Sequence, residues 1–149
     1  MSEPPASPTV LIVETTAGEE CPVEFLGESS DLVYFMSMAH SERYGAAHPL
    51  AKATRILKFQ RRIDLAPLLT FADANTESSE EERALETMWQ DAAPLAASAR
   101  AVAEAIETSG DLRDLAADFP ALPERLRELA AMADWAAERD ARVRLTYAL

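Results

Sequence analysis

The chain has 149 residues, 48% of them hydrophobic and 27% charged, which is enough to build a core without disulfides or metals and argues against global disorder. A formal net charge of −12 argues against a general affinity for nucleic acid or anionic membranes. The lone cysteine, Cys21, leaves no material for an internal disulfide or a multi-cysteine metal site.

The apolar runs are too short to cross a bilayer, and the start of the chain lacks the basic stretch and long apolar core of a signal peptide. A cytoplasmic location is expected. Abundant alanine and an excess of arginine over lysine fit a bacterial protein. Charge is segregated: residues 1–48 carry eight acids and one base, and residues 73–111 carry ten acids and two bases. Residues 49–72 reverse the sign, with Lys52, Arg55, Lys58, Arg61 and Arg62 against Asp64 alone.

Residues 1–8, rich in proline and serine, read as a flexible tail, and 9–149 as a single helical domain. Val10–Val13 is a β-branched run, and in Cys21–Leu26 the residues Cys21, Val23 and Phe25 alternate with Pro22, Glu24 and Leu26. A small N-terminal hairpin or extended segment is expected, with Pro22 favouring an edge. Two strands alone are marginal, so they need helices beneath them or a partner in 143–149, where Val143, Leu145, Tyr147 and Leu149 alternate in the same way.

Ser29, Ser30 and Asp31 are cap-type residues before a first helix, Leu32 to Arg43, closed by Gly45. Its apolar residues surround most of the cylinder, so it lies either at the centre of the core or against another chain. Pro49 opens a second, basic amphipathic helix. On it Leu50, Ala53, Ile56, Leu57 and Ile63 share one arc, the five cations fill the other, and Pro67 kinks or restarts the chain.

The longest helix is expected from Ser79 to Thr108. Leu85, Met88, Ala92, Leu95, Ala99, Val102 and Ile106 recur at alternating spacings of three and four, with Trp89, Ala96 and Ala103 widening the stripe. Ser79 and Glu82 have capping-box spacing, Ser109-Gly110 is a stop signal, and Pro94 should bend the middle, a true break there dividing the element in two. Asp111 caps a short helix ending by Pro120. Pro123 opens a last helix carrying Leu126, Leu129, Ala133, Ala136 and Val143, with Asp140 on the same stripe. The whole is mainly α, a bundle of about five helices centred on 79–108 with a small β element.

Few constellations could carry chemistry. His40, Glu42 and His48 are the nearest thing to a metal or acid–base cluster, but lack the ligand number and spacing of a zinc site. Tyr34, Met36, Met38 and His40 could line an apolar ligand pocket. Glu80, Glu81, Glu82 and Glu86 suit helix capping and the helix dipole. Lys52, Arg55, Lys58, Arg61 and Arg62 could hold an anion, or face acids of the same chain. No phosphate-binding, dinucleotide-binding or nucleophile motif is present, so an enzyme, a cofactor or a metal is not expected. The leading expectation is a non-enzymatic interaction protein (an accessory subunit, adaptor or regulator) acting through apolar helix surface and acidic patches on a protein partner or a second copy. The alternative is a small-molecule-binding bundle with a pocket near Tyr34, Met36 and His40.

Overall fold

A computed structural model describes residues 9–42 and 47–148. The expected tail at 1–8, the helix end at Arg43 and Gly45, and Leu149 lie outside the described residues. Mainly helical with a small mixed sheet, the fold runs β1 (Val10–Thr15), α1 (Ser30–Ser41), α2 (Pro49–Arg55), β2 (Phe71–Asp73), α3 (Ser79–Glu86), β3 (Gln90–Asp91), α4 (Ala92–Thr108), α5 (Gly110–Leu115), α6 (Leu122–Ala137) and β4 (Arg142–Ala148). Among the described residues no helix is long and apolar enough to cross a membrane.

The sheet is assembled on β4. β1 pairs with it antiparallel from Val10 opposite Ala148 to Thr15 opposite Val143. β2 lies parallel on the other side, Phe71 opposite Leu145, and β3 continues that side antiparallel, Gln90 opposite Val143. The alternation of residues 143–147 is therefore that of a strand, with Val143 and Leu145 fully buried. The N-terminal hairpin does not form. β1 takes β4 as its partner, and Cys21–Leu26 remains irregular although Cys21, Val23 and Phe25 are half-buried and Pro22, Glu24 and Leu26 exposed. Period two in that run reports a covered face, and the backbone partner lies elsewhere.

The continuous helix 79–108 also gives way to a different arrangement. The chain leaves helical geometry after Glu86, turns through Thr87–Trp89, pairs Gln90 and Asp91 with β4, and restarts at Ala92. Pro94 thus sits in the first turn of α4, where its missing N–H leaves no helical bond unmade, and bends nothing. Trp89 lies off the helix, with the Arg144 guanidinium 4.6 Å from its ring. The cap of α3 is shifted by one residue from the expected pair: Ser78 Oγ accepts from Glu81 N–H at 3.2 Å, and Glu81 Oε2 accepts from Glu77 N–H at 2.8 Å. Ser109, rather than Asp111, caps α5, accepting from Leu112 N–H.

α3 buries no residue. It is held on the outer face of the sheet by Arg144, which donates to Glu14 Oε2 at 2.9 Å and to the Leu85 carbonyl at 3.3 Å, and lies 3.5 Å from Glu86 Oε1. The Glu14 hydrogen bond raises the Arg144 pKa above its ordinary value against the opposing effect of burial, with the Glu14 and Glu86 charges assisting. Position 144 therefore stays charged at every accessible pH.

The core is built on α4 and α6, which pack most extensively on each other. Ala96, Ala99 and Ala103 on α4 and Ala130, Ala133 and Ala136 on α6 are all at most 2% exposed, and small side chains at these positions permit close approach. α1 adds Leu32, Val33, Phe35, Met36 and Ala39 to the same core, so most of its apolar surface is covered by its own chain, with Tyr34 left 43% exposed. α2 runs into a π-helical segment, Ile56–Gln60, which keeps Leu57 buried and leaves Phe59 72% exposed. α6 ends before Asp140, which is exposed and takes φ 53°. The break releases Asp140 from the apolar stripe and places Val143 on β4.

Two substitutions probe this architecture. Ala133→Leu, at a fully buried contact, is expected to destabilise the fold by about 1–3 kcal/mol through overpacking, read from denaturant midpoints. Arg144→Met should leave exchange protection in α4 and α6 intact and speed amide exchange in α3, which has no core contact of its own to fall back on. Equal loss of protection in all three helices would show that Arg144 supports the whole fold and not α3 in particular.

Candidate functional site

The residues singled out by sequence divide among several environments. Tyr34 is 43% exposed and Met36 completely buried; Met38 is half-buried and His40 exposed. Tyr34 stacks on Phe119 with ring centroids 5.1 Å apart and lies 5.3 Å from the His48 ring. His40 meets Phe71 edge-on at 6.3 Å, in a second aromatic group that continues to Tyr147. The two rings expected to share a pocket thus face different neighbours, with Met36 enclosed in the core. His48 Nδ1 accepts from Leu50 N–H at 3.1 Å and caps α2, while Glu42 turns to the cations of α2. Among the described residues, no three His, Cys, Asp or Glu side chains gather as metal ligands.

The basic face is partly consumed within the chain. Glu42, 9% exposed, accepts from Lys58 Nζ at 2.7 Å and from Arg55 Nε at 3.2 Å. The Lys58 hydrogen bond is the largest influence lowering the Glu42 pKa from the usual 4.5; burial opposes it, and the Lys58 charge and the Arg55 contacts reinforce it. Lys52, Arg61 and Arg62 point to solvent, and Lys58 Nζ lies 5.4 Å from the exposed ring of Phe59.

A different surface brings together apolar lining with backbone and charge that have no partner among the described residues. A cleft of about 310 Å³ lies between β1, the loop that follows it and α6. Leu11, Val13 and Thr15 form one wall, Cys21, Val23 and Phe25 with Glu20 and Glu24 another, and Met132 the floor. Four contacts hold the loop in place. At its start Arg139 pairs with Glu19, and Arg142 N–H donates to Thr16 Oγ1 at 2.9 Å. At its end Glu128 Oε2 accepts from Leu26 N–H at 3.0 Å, and Arg125 donates to the Glu28 carbonyl at 3.2 Å while pairing with Glu128. Gly27 makes room for that guanidinium, since a Cβ there would lie 2.5 Å from Arg125 Nη2.

Among the described residues no strand pairs with the edge of β1 that faces away from β4, beside this cleft. Thr16 N–H donates to Arg142 O at 3.1 Å, placing the even-numbered residues in the ladder. The odd-numbered residues therefore direct N–H and C=O outward, and Leu11 N–H duly meets Ser29 Oγ at 2.9 Å. Among the described residues nothing takes up the N–H and C=O of Val13. Glu20 and Glu24 are exposed, and neither has an ionic partner among the described residues. The sequence signalled the apolar wall and its acids, but not the open edge, which depends on β1 pairing with the far end of the chain.

Comparison with protein-family models, curated proteins and solved structures finds no match to this chain.

Glu42 offers a pH test of the basic face. Its pKa is depressed in the folded state, so its contribution to stability is complete above the unfolded carboxylate value and is lost as pH falls through the lower folded value. Glu42→Gln should cost on the order of 1 kcal/mol near neutral pH, allowing for the solvent exposure of Arg55. The difference from the unsubstituted protein should shrink as pH falls below the ordinary carboxylate value and close once Glu42 is protonated in the folded state as well, as followed by chemical denaturation across pH.

Proposed function

We propose that this protein is a non-enzymatic interaction protein, an accessory subunit, adaptor or regulator that docks a protein partner. The observation that carries this reading is the open β1 edge beside an apolar cleft rimmed by Glu20 and Glu24. Unsatisfied strand backbone is a standing invitation to pairing, and β1 (Val-Leu-Ile-Val-Glu-Thr) carries none of the lysines or prolines that commonly block an edge. This reading favours the sheet edge and its acidic loop as the docking surface, because α1 spends most of its apolar surface on the core of its own chain. Small-molecule binding near Tyr34, Met36 and His40 has less support, since those side chains do not converge.

Purification under native conditions from the source organism, followed by amide exchange on the isolated complex, tests the reading. A stoichiometric protein companion that slows exchange in residues 11–25 and is released by rising salt is expected. A monomer that retains no companion, or a companion that protects only residues remote from this cleft, would defeat it.

A further inference from the structure

We infer that the β1 edge accepts a basic, extended segment of a partner protein as an added strand, with alternate apolar side chains seated in the Cys21–Phe25 cleft. This inference rests on reading the protein as an interaction module, and it names the partner's chemistry. An extended chain is the occupant that can meet the outward N–H and C=O of Val13; a helix keeps its own backbone groups bonded internally and has none to offer. Alternation supplies the rest. In a strand every second side chain points to the same face, so an apolar residue directed toward Val23, Phe25 and Met132 is followed by one directed away, into the field of the acidic rim.

Charge selects the sign of the segment. Residues 14–28 contain Glu14, Glu19, Glu20, Glu24 and Glu28 and no base. Glu14 is committed to Arg144 and Glu19 to Arg139, whereas Glu20 and Glu24 border the cleft with no ionic partner among the described residues. A lysine- or arginine-bearing strand is complementary to them. A second copy of this chain, paired edge to edge through β1, would instead bring like charges together.

The probe is an eight-residue peptide alternating lysine and valine, fluorescently labelled, and compared with its glutamate–valine counterpart and with a helical lysine–leucine peptide of equal charge. The lysine–valine peptide is expected to bind at least tenfold more tightly than either, and to shift the amide resonances of residues 11–15 and 20–25. N-methylation along one edge of the peptide should weaken binding at least tenfold, while N-methylation along the other should change it less than twofold. Glu20→Lys combined with Glu24→Lys should reverse the preference between the lysine and glutamate peptides. Because the N-methyl arm alters only the peptide, it is immune to misfolding of a variant.

Equal sensitivity of the two peptide edges, equal binding by the helical peptide, or concentration-dependent self-association at Val13 without peptide would each overturn the inference. If the peptides fail while a native companion still protects residues 11–25, the strand-addition inference falls and the interaction reading stands. Failure of both would remove the two together.

Discussion

A central strand has hydrogen-bonding groups on both edges and cannot be buried until both are paired. β4 meets that requirement with segments drawn from most of the chain: β1 on one side, β2 and β3 on the other. Each recruitment has a structural cost elsewhere. β1 is taken from the hairpin it would make with Cys21–Leu26, and β3 interrupts what would otherwise continue as one helix. With β4 in place, its inward residues Val143 and Leu145 close the core against the helices, while outward Arg144 fixes α3 and Trp89 over the opposite face.

That constraint separates what local sequence expresses from what it does not. The amphipathic stripe of α4 and the proline at the start of α6 are properties of neighbouring residues and were legible as such, whereas the alternation of residues 143–147 left helix and strand both open, with Val143 fitting either. The split at 87–91 was not legible, because Leu85, Met88 and Ala92 keep helical spacing straight through it and no glycine or proline lies between Glu86 and Asp91. What breaks the helix is the pairing of Gln90 and Asp91 with residues 142–143, more than fifty positions away. One local signal did point to it: Asp91 followed by Pro94 is a better helix start than a helix middle.

The candidate site shows the same division more sharply. Alternation in Cys21–Leu26 correctly announced one covered face and one exposed face, and the acids were visible by inspection. The outward backbone of Val13 has no signature in composition or periodicity, since it exists only because Val10–Thr15 chose a distant partner. Among the expected ligand residues, Met36 was drawn wholly into the core and Tyr34 and His40 into separate aromatic contacts. Methionine and aromatic residues at helical spacing serve packing as well as recognition, and here α1 lies where packing takes most of them.

The loop 16–28 divides its polar groups between two tasks. Glu19 and the backbone around Leu26–Glu28 are engaged by Arg139, Glu128 and Arg125, which fix the loop to α6 and the chain just beyond it. Between those anchors, Glu20 and Glu24 reach solvent without an ionic counterpart among the described residues. An arriving cation would meet these carboxylates without any rearrangement of the anchors, so the ordering of the surface rests on contacts outside it. Rigid ends with an unneutralised middle are therefore consistent with a surface whose selectivity is set by charge, while its reach is limited by the short run of outward backbone on β1.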